Sequence, residues 1–203
     1  MTRYRWRGIL VEPLSDCFAR LKDNYREDPN LIFENVAISD QAEVRSFYRI
    51  REGLDYLPEW CKGLGTFHLD VLLTHRWALP DVERYVERLE VPCISLAELL
   101  EKHRVKAVDL LLLDTEGYDY EIIKQIDFNR IKPALIAFEH EYIKKQDRWK
   151  CEELLKNQGY LLTAHLGNTL AYLPDRTFRS HLKNVASGRQ SGKDGAQKPE
   201  HTR

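Results

Sequence analysis

Along residues 8–174, short apolar runs alternate with stretches of helical spacing, the arrangement expected of an α/β sheet. The run Gly8-Ile9-Leu10-Val11 stops at Glu12-Pro13. Leu14, Phe18, Leu21 and Tyr25 then recur at i, i+4, i+7 and i+11, which predicts strand, turn and amphipathic helix. Residues 31–38 predict a second strand closing on Ser39-Asp40, and residues 44–50 a third, antiparallel beside it. Residues 53–76 carry no clear period. After Pro80, the spacing of Val82, Tyr85, Val86 and Leu89 predicts a short helix with proline in its first turn. Ser95 and Glu98 fit a capping box, with Leu96, Leu99 and Leu100 as the apolar face behind it.

The four leucines at 110–113 suit a strand covered on both faces, and hence a central one. They run into Asp114-Thr115-Glu116-Gly117, after which Tyr118, Ile122, Ile123 and Ile126 mark a helix. Residues 134–138 predict a further strand ending at Glu139-His140-Glu141. Trp149, Leu154 and Leu155 lie on a helix that Gly159 stops. Residues 160–164 and 169–173 form a hairpin across Gly167-Asn168. The fold class expected is α/β: a doubly wound, mostly parallel sheet with an antiparallel hairpin strand at its C-terminal end.

Composition narrows function more than it alters this picture. The 203 residues hold 31 Lys+Arg against 32 Asp+Glu, which argues against a surface built to neutralise nucleic-acid phosphates. A mean hydropathy of −0.52, without an apolar run of about 18 residues, argues against a membrane span. Residues 1–8 lack the apolar stretch of a secretory signal. Cys17, Cys61, Cys93 and Cys151 form no CxxC pair and read as free thiols of a reducing, cytoplasmic setting. From Lys183 the chain is almost wholly polar, so a disordered, mildly basic tail over 183–203 is expected behind one domain over 1–182.

In an open parallel sheet, ligands bind beyond the carboxyl ends of the strands. Acids stand at those predicted ends: Glu12, Asp40, Asp114 with Glu116, and Glu139 with Glu141 beside His140. A carboxylate after an early strand can accept both ribose hydroxyls of a nucleoside cofactor, a role open to Glu12. The turn at 114–117 is the most specific feature, two carboxylates and a glycine between a buried strand and a helix. It also has a purely structural reading, with Asp114 capping the helix and Glu116 favouring its N-terminal dipole. His68, His75, His103 and His165 have no partner at metal spacing, and they read, with Trp60, Trp77 and Trp149, as packing or surface residues. Gly63-Leu64-Gly65 reads as a loop.

Taken in order, four blocks resemble the FkbM-type family of S-adenosylmethionine-dependent methyltransferases over roughly residues 8–174. They are Gly8-Ile9-Leu10-Val11-Glu12-Pro13, Asn35-Val36-Ala37-Ile38-Ser39-Asp40, Ser95-Leu96-Ala97-Glu98-Leu99-Leu100, and Val108 through the 114–117 turn to Tyr118. The resemblance implies a class I methyltransferase fold, S-adenosylmethionine as cofactor, and methyl transfer to a hydroxyl oxygen of a sugar or other small molecule. By the same analogy Glu12 binds the cofactor ribose, Ser39 and Asp40 lie near the adenine, and Asp114 and Glu116 line the transfer site, Asp114 within reach of the cofactor. A sulfonium methyl is already activated, so the enzyme must align an oxygen and remove its proton. Glu116 and His140 are the candidate bases. A divalent ion held by Asp114 and Glu139 is an alternative, and no metal is assigned. The partners expected are a small-molecule or sugar acceptor, with no nucleic acid and no membrane, and self-association is left open.

The family's glycine-rich cofactor loop follows a strand that precedes the one ending at Glu12, and seven residues precede Gly8 here. The expectation is therefore a sheet that is N-terminally incomplete, lacking the first βα unit, whose strand would lie between the strands ending at Glu12 and at Asp114. The competing reading is a degenerate or truncated methyltransferase-like domain without turnover, acting as a binding or assembly module.

Overall fold

The computed structural model describes residues 6–25, 28–54 and 56–174. The polar tail expected from Lys183 lies outside the described residues. The chain opens with β1 (Gly8–Val11), α1 (Ser15–Tyr25) and β2 (Leu31–Glu34), and the two strands pair in parallel from Gly8 opposite Leu31 to Val11 opposite Glu34. The apolar run at 31–38 is not one strand: it breaks after Glu34 and resumes as β3 (Ala37–Ser39) in a different sheet. Asn35 marks the break, its Nδ2 donating to the carbonyls of Glu12 at 2.8 Å and Pro13 at 3.1 Å. Those two carbonyls are thereby satisfied by a side chain where the chain turns from β1 into α1.

A four-stranded sheet in the order β3-β6-β4-β5 adds β4 (Glu43–Ile50), β5 (Gly65–Thr66) and β6 (Val86–Ser95). The expected neighbour of β4 is corrected here: β4 pairs antiparallel with β6, from Glu43 opposite Cys93 to Ile50 opposite Val86, and β3 flanks the other side of β6. The helix expected after Pro80 is also absent. Val82–Arg84 forms a single 3-10 turn, and the chain then runs as the ten-residue strand β6. The spacing of Val82, Tyr85, Val86 and Leu89 matched a helix by coincidence. The period-2 alternation of Leu89, Val91 and Cys93 with exposed Arg88, Glu90 and Pro92 wins because β4 supplies a partner face.

The third sheet, in the order β7-β8-β10-β9, consists of β7 (Leu110–Leu112), β8 (Leu135–Glu139), β9 (Leu161–His165) and β10 (Asn168–Tyr172). The β9-β10 hairpin is the one expected. Helices α2 (Leu69–Thr74), α3 (Leu96–Lys102), α4 (Asp119–Ile123) and α5 (Lys145–Asn157) complete the elements, and α3 carries the full capping box between Ser95 and Glu98. Ile136 and Phe138 of β8, Ile122 and Ile123 of α4 and Leu155 of α5 form the largest core and are buried.

The fold is α/β, but the described sheets are mixed rather than mostly parallel, with three parallel pairings and four antiparallel ones. Nor is β7 central. Leu113 N–H bonds Ala137 and Leu135 N–H bonds Asp109, so odd-numbered residues of β7 face β8 and the peptide groups of Leu110 and Leu112 point to the other edge. No strand among the described residues pairs with that edge, and Leu112 is 70% exposed. The outer edge of β1 is likewise without a strand among the described residues. No helix among them is long and apolar enough to cross a membrane. All four cysteines are free.

Helix α1 has no fully buried residue of its own, and an ion pair adds to the packing of Cys17 on the core in holding it. Asp16 receives Arg49 of β4 in a two-pronged contact at 2.5 Å and 3.0 Å, and Arg49 is buried. The guanidinium holds the Asp16 carboxyl down at about 2, below the 3.8 of a free aspartate. That depression contributes about 2 kcal/mol above pH 4, and the contribution disappears as pH falls through 2. Asp16→Asn should lower unfolding free energy by about 2–3 kcal/mol near neutral pH, since it removes the closer of the two carboxylates beside a buried guanidinium. Denaturant titration should show that difference shrinking toward pH 2; a difference independent of pH would exclude the ion pair as its cause.

Candidate active site

The turn after β7 is built from two consecutive left-handed residues, Glu116 at φ 51° and Gly117 at φ 97°. Glycine adopts this readily, and a side chain at 117 would press on the Tyr142 carbonyl at 3.3 Å. Glutamate does not adopt it readily: left-handed backbone costs an L-residue about 1–2 kcal/mol. Two buried side chains hold the turn. Thr66 donates its hydroxyl to the Glu116 carbonyl at 2.8 Å. Asp119, wholly buried, accepts from the Thr115 hydroxyl at 2.6 Å and backbone N–H at 3.3 Å with one oxygen, and from the Glu139 N–H at 3.1 Å with the other.

The consequence is that the ends of β7 and β8 converge. One carboxylate oxygen from each of Asp114, Glu116 and Glu139 lies within 4.8 Å of the others. Glu116 and Glu139 each bury an oxygen, Oε2, that has no hydrogen-bond partner among the described residues. Burial, then the charges of Asp114, Asp119 and Glu141, push the Glu116 carboxyl up to about 7. Burial, then Glu116, Asp114, Asp119 and Glu141, push that of Glu139 up to about 8. Acids so displaced exchange protons at neutral pH, and such a group can take a proton from a hydroxyl.

The other expected site residues fall in three places. His140 lines an open groove with Glu141, Ile143, Lys145, Arg148 and Leu166, and its Nδ1 is paired with the Thr169 hydroxyl at 2.8 Å. Burial, then Arg148, hold its imidazolium below the usual range. It is not one of the three converging groups. Glu12 uses Oε1 to accept from Leu14 N–H at 2.8 Å at the entry to α1, and burial raises its carboxyl above the ordinary value. Ser39 is fully buried and its hydroxyl donates to the Gln41 carbonyl at 2.7 Å, closing the turn between β3 and β4. Asp40 is exposed, 3.6 Å from Arg45.

Four site residues have no signal in the sequence. Thr66 and Asp119, which hold the turn, read there as ordinary turn and first-turn residues. Arg45 reads as a polar position on a strand, yet it lies 4.4 Å over the Phe67 ring and donates to the Tyr118 hydroxyl at 3.0 Å. It thereby joins the Asp40 turn to the residue that follows the 114–117 turn. Tyr142 packs against Gly117, and burial together with Glu116, Glu141, Glu139 and Asp114 pushes its phenol up to about 12, so it stays a donor. Trp77 and Trp149 are mostly exposed and are not core.

Among known proteins, no curated protein and no solved structure matches the chain. A family model does match: that of the methyltransferase FkbM domain, over residues 1–180, which takes in every strand described above and all three converging carboxylates. The chain belongs to the FkbM methyltransferase family.

Proposed function

We propose that the protein is an S-adenosylmethionine-dependent O-methyltransferase acting on a small-molecule or sugar hydroxyl, with Glu116 as general base. The observation that carries this reading is the convergence of Asp114, Glu116 and Glu139 at the strand ends of a methyltransferase-family chain. When bound, the cofactor supplies an activated methyl. Two described carboxylates fit its nucleoside: Glu12, whose Oε2 accepts no hydrogen bond among the described residues, and the exposed Asp40. Ser39 fits less well, since its hydroxyl is taken by Gln41. A class I sheet is supported by the parallel pairs β1-β2 and β7-β8, each with an edge that no described strand covers.

The chain's own work is then alignment and proton removal. The acceptor O–H donates to the carboxylate of Glu116, whose affinity for the proton is raised by burial and then by Asp114 beside it. Tyr142 keeps its own proton, and so serves as a hydrogen-bonding group and not as a base. The turn's rigidity fixes Glu116 against the end of β8 through Asp119.

A second reading keeps the same acids and gives them a divalent cation. Three carboxylates within 4.8 Å, two with an unpartnered buried oxygen, form an all-oxygen donor set of the kind magnesium or manganese takes. The ion would acidify the acceptor hydroxyl in place of Glu116. Activity that disappears in excess chelator and returns with magnesium selects this reading; full activity in chelator removes it.

Under the general-base reading, Glu116→Gln should lower turnover by about a hundredfold or more while calorimetry finds S-adenosylhomocysteine affinity near wild type. The rate should rise with pH through about 7, and Asp114→Asn, by removing a neighbouring negative charge, should move that rise to lower pH. Unchanged turnover in Glu116→Gln excludes the base assignment, and failure of the chain to bind the cofactor product favours the module without turnover.

Stability should move the opposite way. Both carboxyls titrate above the ordinary 4.5, so the stability tied to their neutral forms is full below pH 4.5 and is lost as pH rises through 7 to 8. Glu116→Gln should therefore melt above wild type at pH 8.5 and close to it at pH 4.5, by differential scanning calorimetry. A uniform offset at both pH values contradicts this.

A further inference from the structure

A glutamate in left-handed backbone persists only where its surroundings hold it, and Asp119 secures one side of the 114–117 turn. The other side hangs on the Thr66 hydroxyl, which the Glu116 carbonyl accepts at 2.8 Å. Thr66 stands on β5, a two-residue strand at the edge of its sheet whose ladder to β4 is two residue pairs long. So short a strand fixes little by itself. The next residue does more. Phe67 packs on two cores, that of Ile122 and Phe138 and that of Leu14 and Phe47. Its ring meets Phe47 edge-on at 5.1 Å and Tyr118 at 4.8 Å between centroids.

Arg45 completes this arrangement. Residues 45 and 47 of β4 share a face by the alternation of a strand, so the guanidinium and the Phe47 ring reach Phe67 from the same side. Arg45 Cζ lies 4.4 Å from the Phe67 centroid and 5.4 Å from that of Tyr118, and Nη1 donates to the Tyr118 hydroxyl at 3.0 Å. Tyr118 is 6% exposed, so its phenol oxygen depends on a protein partner such as this. The charge of Arg45 is offset by Asp40 and Glu43, each at 3.6 Å, and among the described residues it is paired with none of the three converging carboxylates. The contacts make a closed circuit: Arg45 to Tyr118, along the chain through Gly117 to Glu116, across to Thr66, along to Phe67, and back to Arg45. Glu116 is the member of that circuit whose backbone is strained.

We propose that Arg45 is a positioning residue of the carboxylate site: by holding Phe67 and Tyr118 together it keeps Glu116 in the left-handed turn beside Glu139. It acts through packing and one hydrogen bond, without touching the reacting atoms. The inference rests on the reading of Glu116 as the base of methyl transfer.

Solution NMR of the isotopically labelled full chain tests it, because the Cα and Cβ shifts and the amide-to-Hα contact of Glu116 differ between left- and right-handed backbone. Arg45→Lys keeps a cation for Asp40 and Glu43 but has no planar group to lie on Phe67 and donate to Tyr118, and Glu116 should lose its left-handed signature. Tyr118→Phe, which keeps the ring and removes the phenol, should shift the signature in the same direction. The double variant should go no further than Arg45→Lys alone, since both substitutions cut one link. Asp16→Asn loosens the neighbouring Arg49 contact of β4 and should leave the signature intact, with thermal melting on every sample to show that the chain is folded. An unchanged signature in Arg45→Lys, or in Tyr118→Phe should the first variant not fold, overturns the inference. So does an equal loss in Asp16→Asn, which would mark a general loosening. Calorimetry with S-adenosylhomocysteine on the wild-type chain reads the methyltransferase assignment separately: absence of binding removes that reading and leaves the placement of Glu116 by Arg45 to stand or fall on the NMR alone.

Discussion

Asp119 is the constraint on which the site depends. A fully buried carboxylate is costly unless every lone pair facing the protein is used. Asp119 meets that condition by binding Thr115 twice on one side and the Glu139 amide on the other. Those bonds fasten the turn after β7 to the end of β8, two strands whose register alone would let their loops diverge. Tyr118 and Ile122, in the same segment, pack into the largest core and prevent α4 from moving away. The position of Glu116 relative to Glu139 is thus inherited from a residue that faces neither solvent nor any ligand.

The convergence this imposes is electrostatically unfavourable, and the rest of the neighbourhood is consistent with containing it. No cation is paired with Asp114, Glu116 or Glu139 among the described residues, whereas arginines are plentiful elsewhere: Arg49 on Asp16, Arg45 beside Asp40 and Glu43, Arg148 on Glu152. Basic partners neutralise acids where the fold needs stiffness and are withheld where three acids meet. Such a distribution is how a protein keeps a carboxyl basic enough to act near neutrality.

The sequence made much of this legible, for identifiable reasons. The β1-to-α1 unit, the capping box at Ser95 and the β9-β10 hairpin rest on local signals, and they were found where the residues pointed. The 114–117 turn stood out because acids and a glycine interrupt a run of leucines. What failed to show was set by partners distant in sequence. Residues 86–95 had both a 3.6 and a 2.0 period to offer, and β4 decided between them. Residues 53–76 fold around Cys61, Leu72 and Val82 through turns too short to display any period. Asp119 looks like any acid in a first helical turn, Arg45 like any strand arginine, and the His75 imidazole like a packing or surface residue without a partner. Their burial and contacts come only from tertiary packing.

The left-handed backbone at Glu116 has a consequence for how this protein changes over time. At that position glycine removes the steric cost outright, so a substitution that discards the acid also relaxes the chain. Loss of the carboxylate is downhill in folding free energy twice over, once through the backbone and once through the relief of Glu139. A lineage released from the need for the acid would drift there readily. A glutamate standing in that conformation is a residue the fold works against.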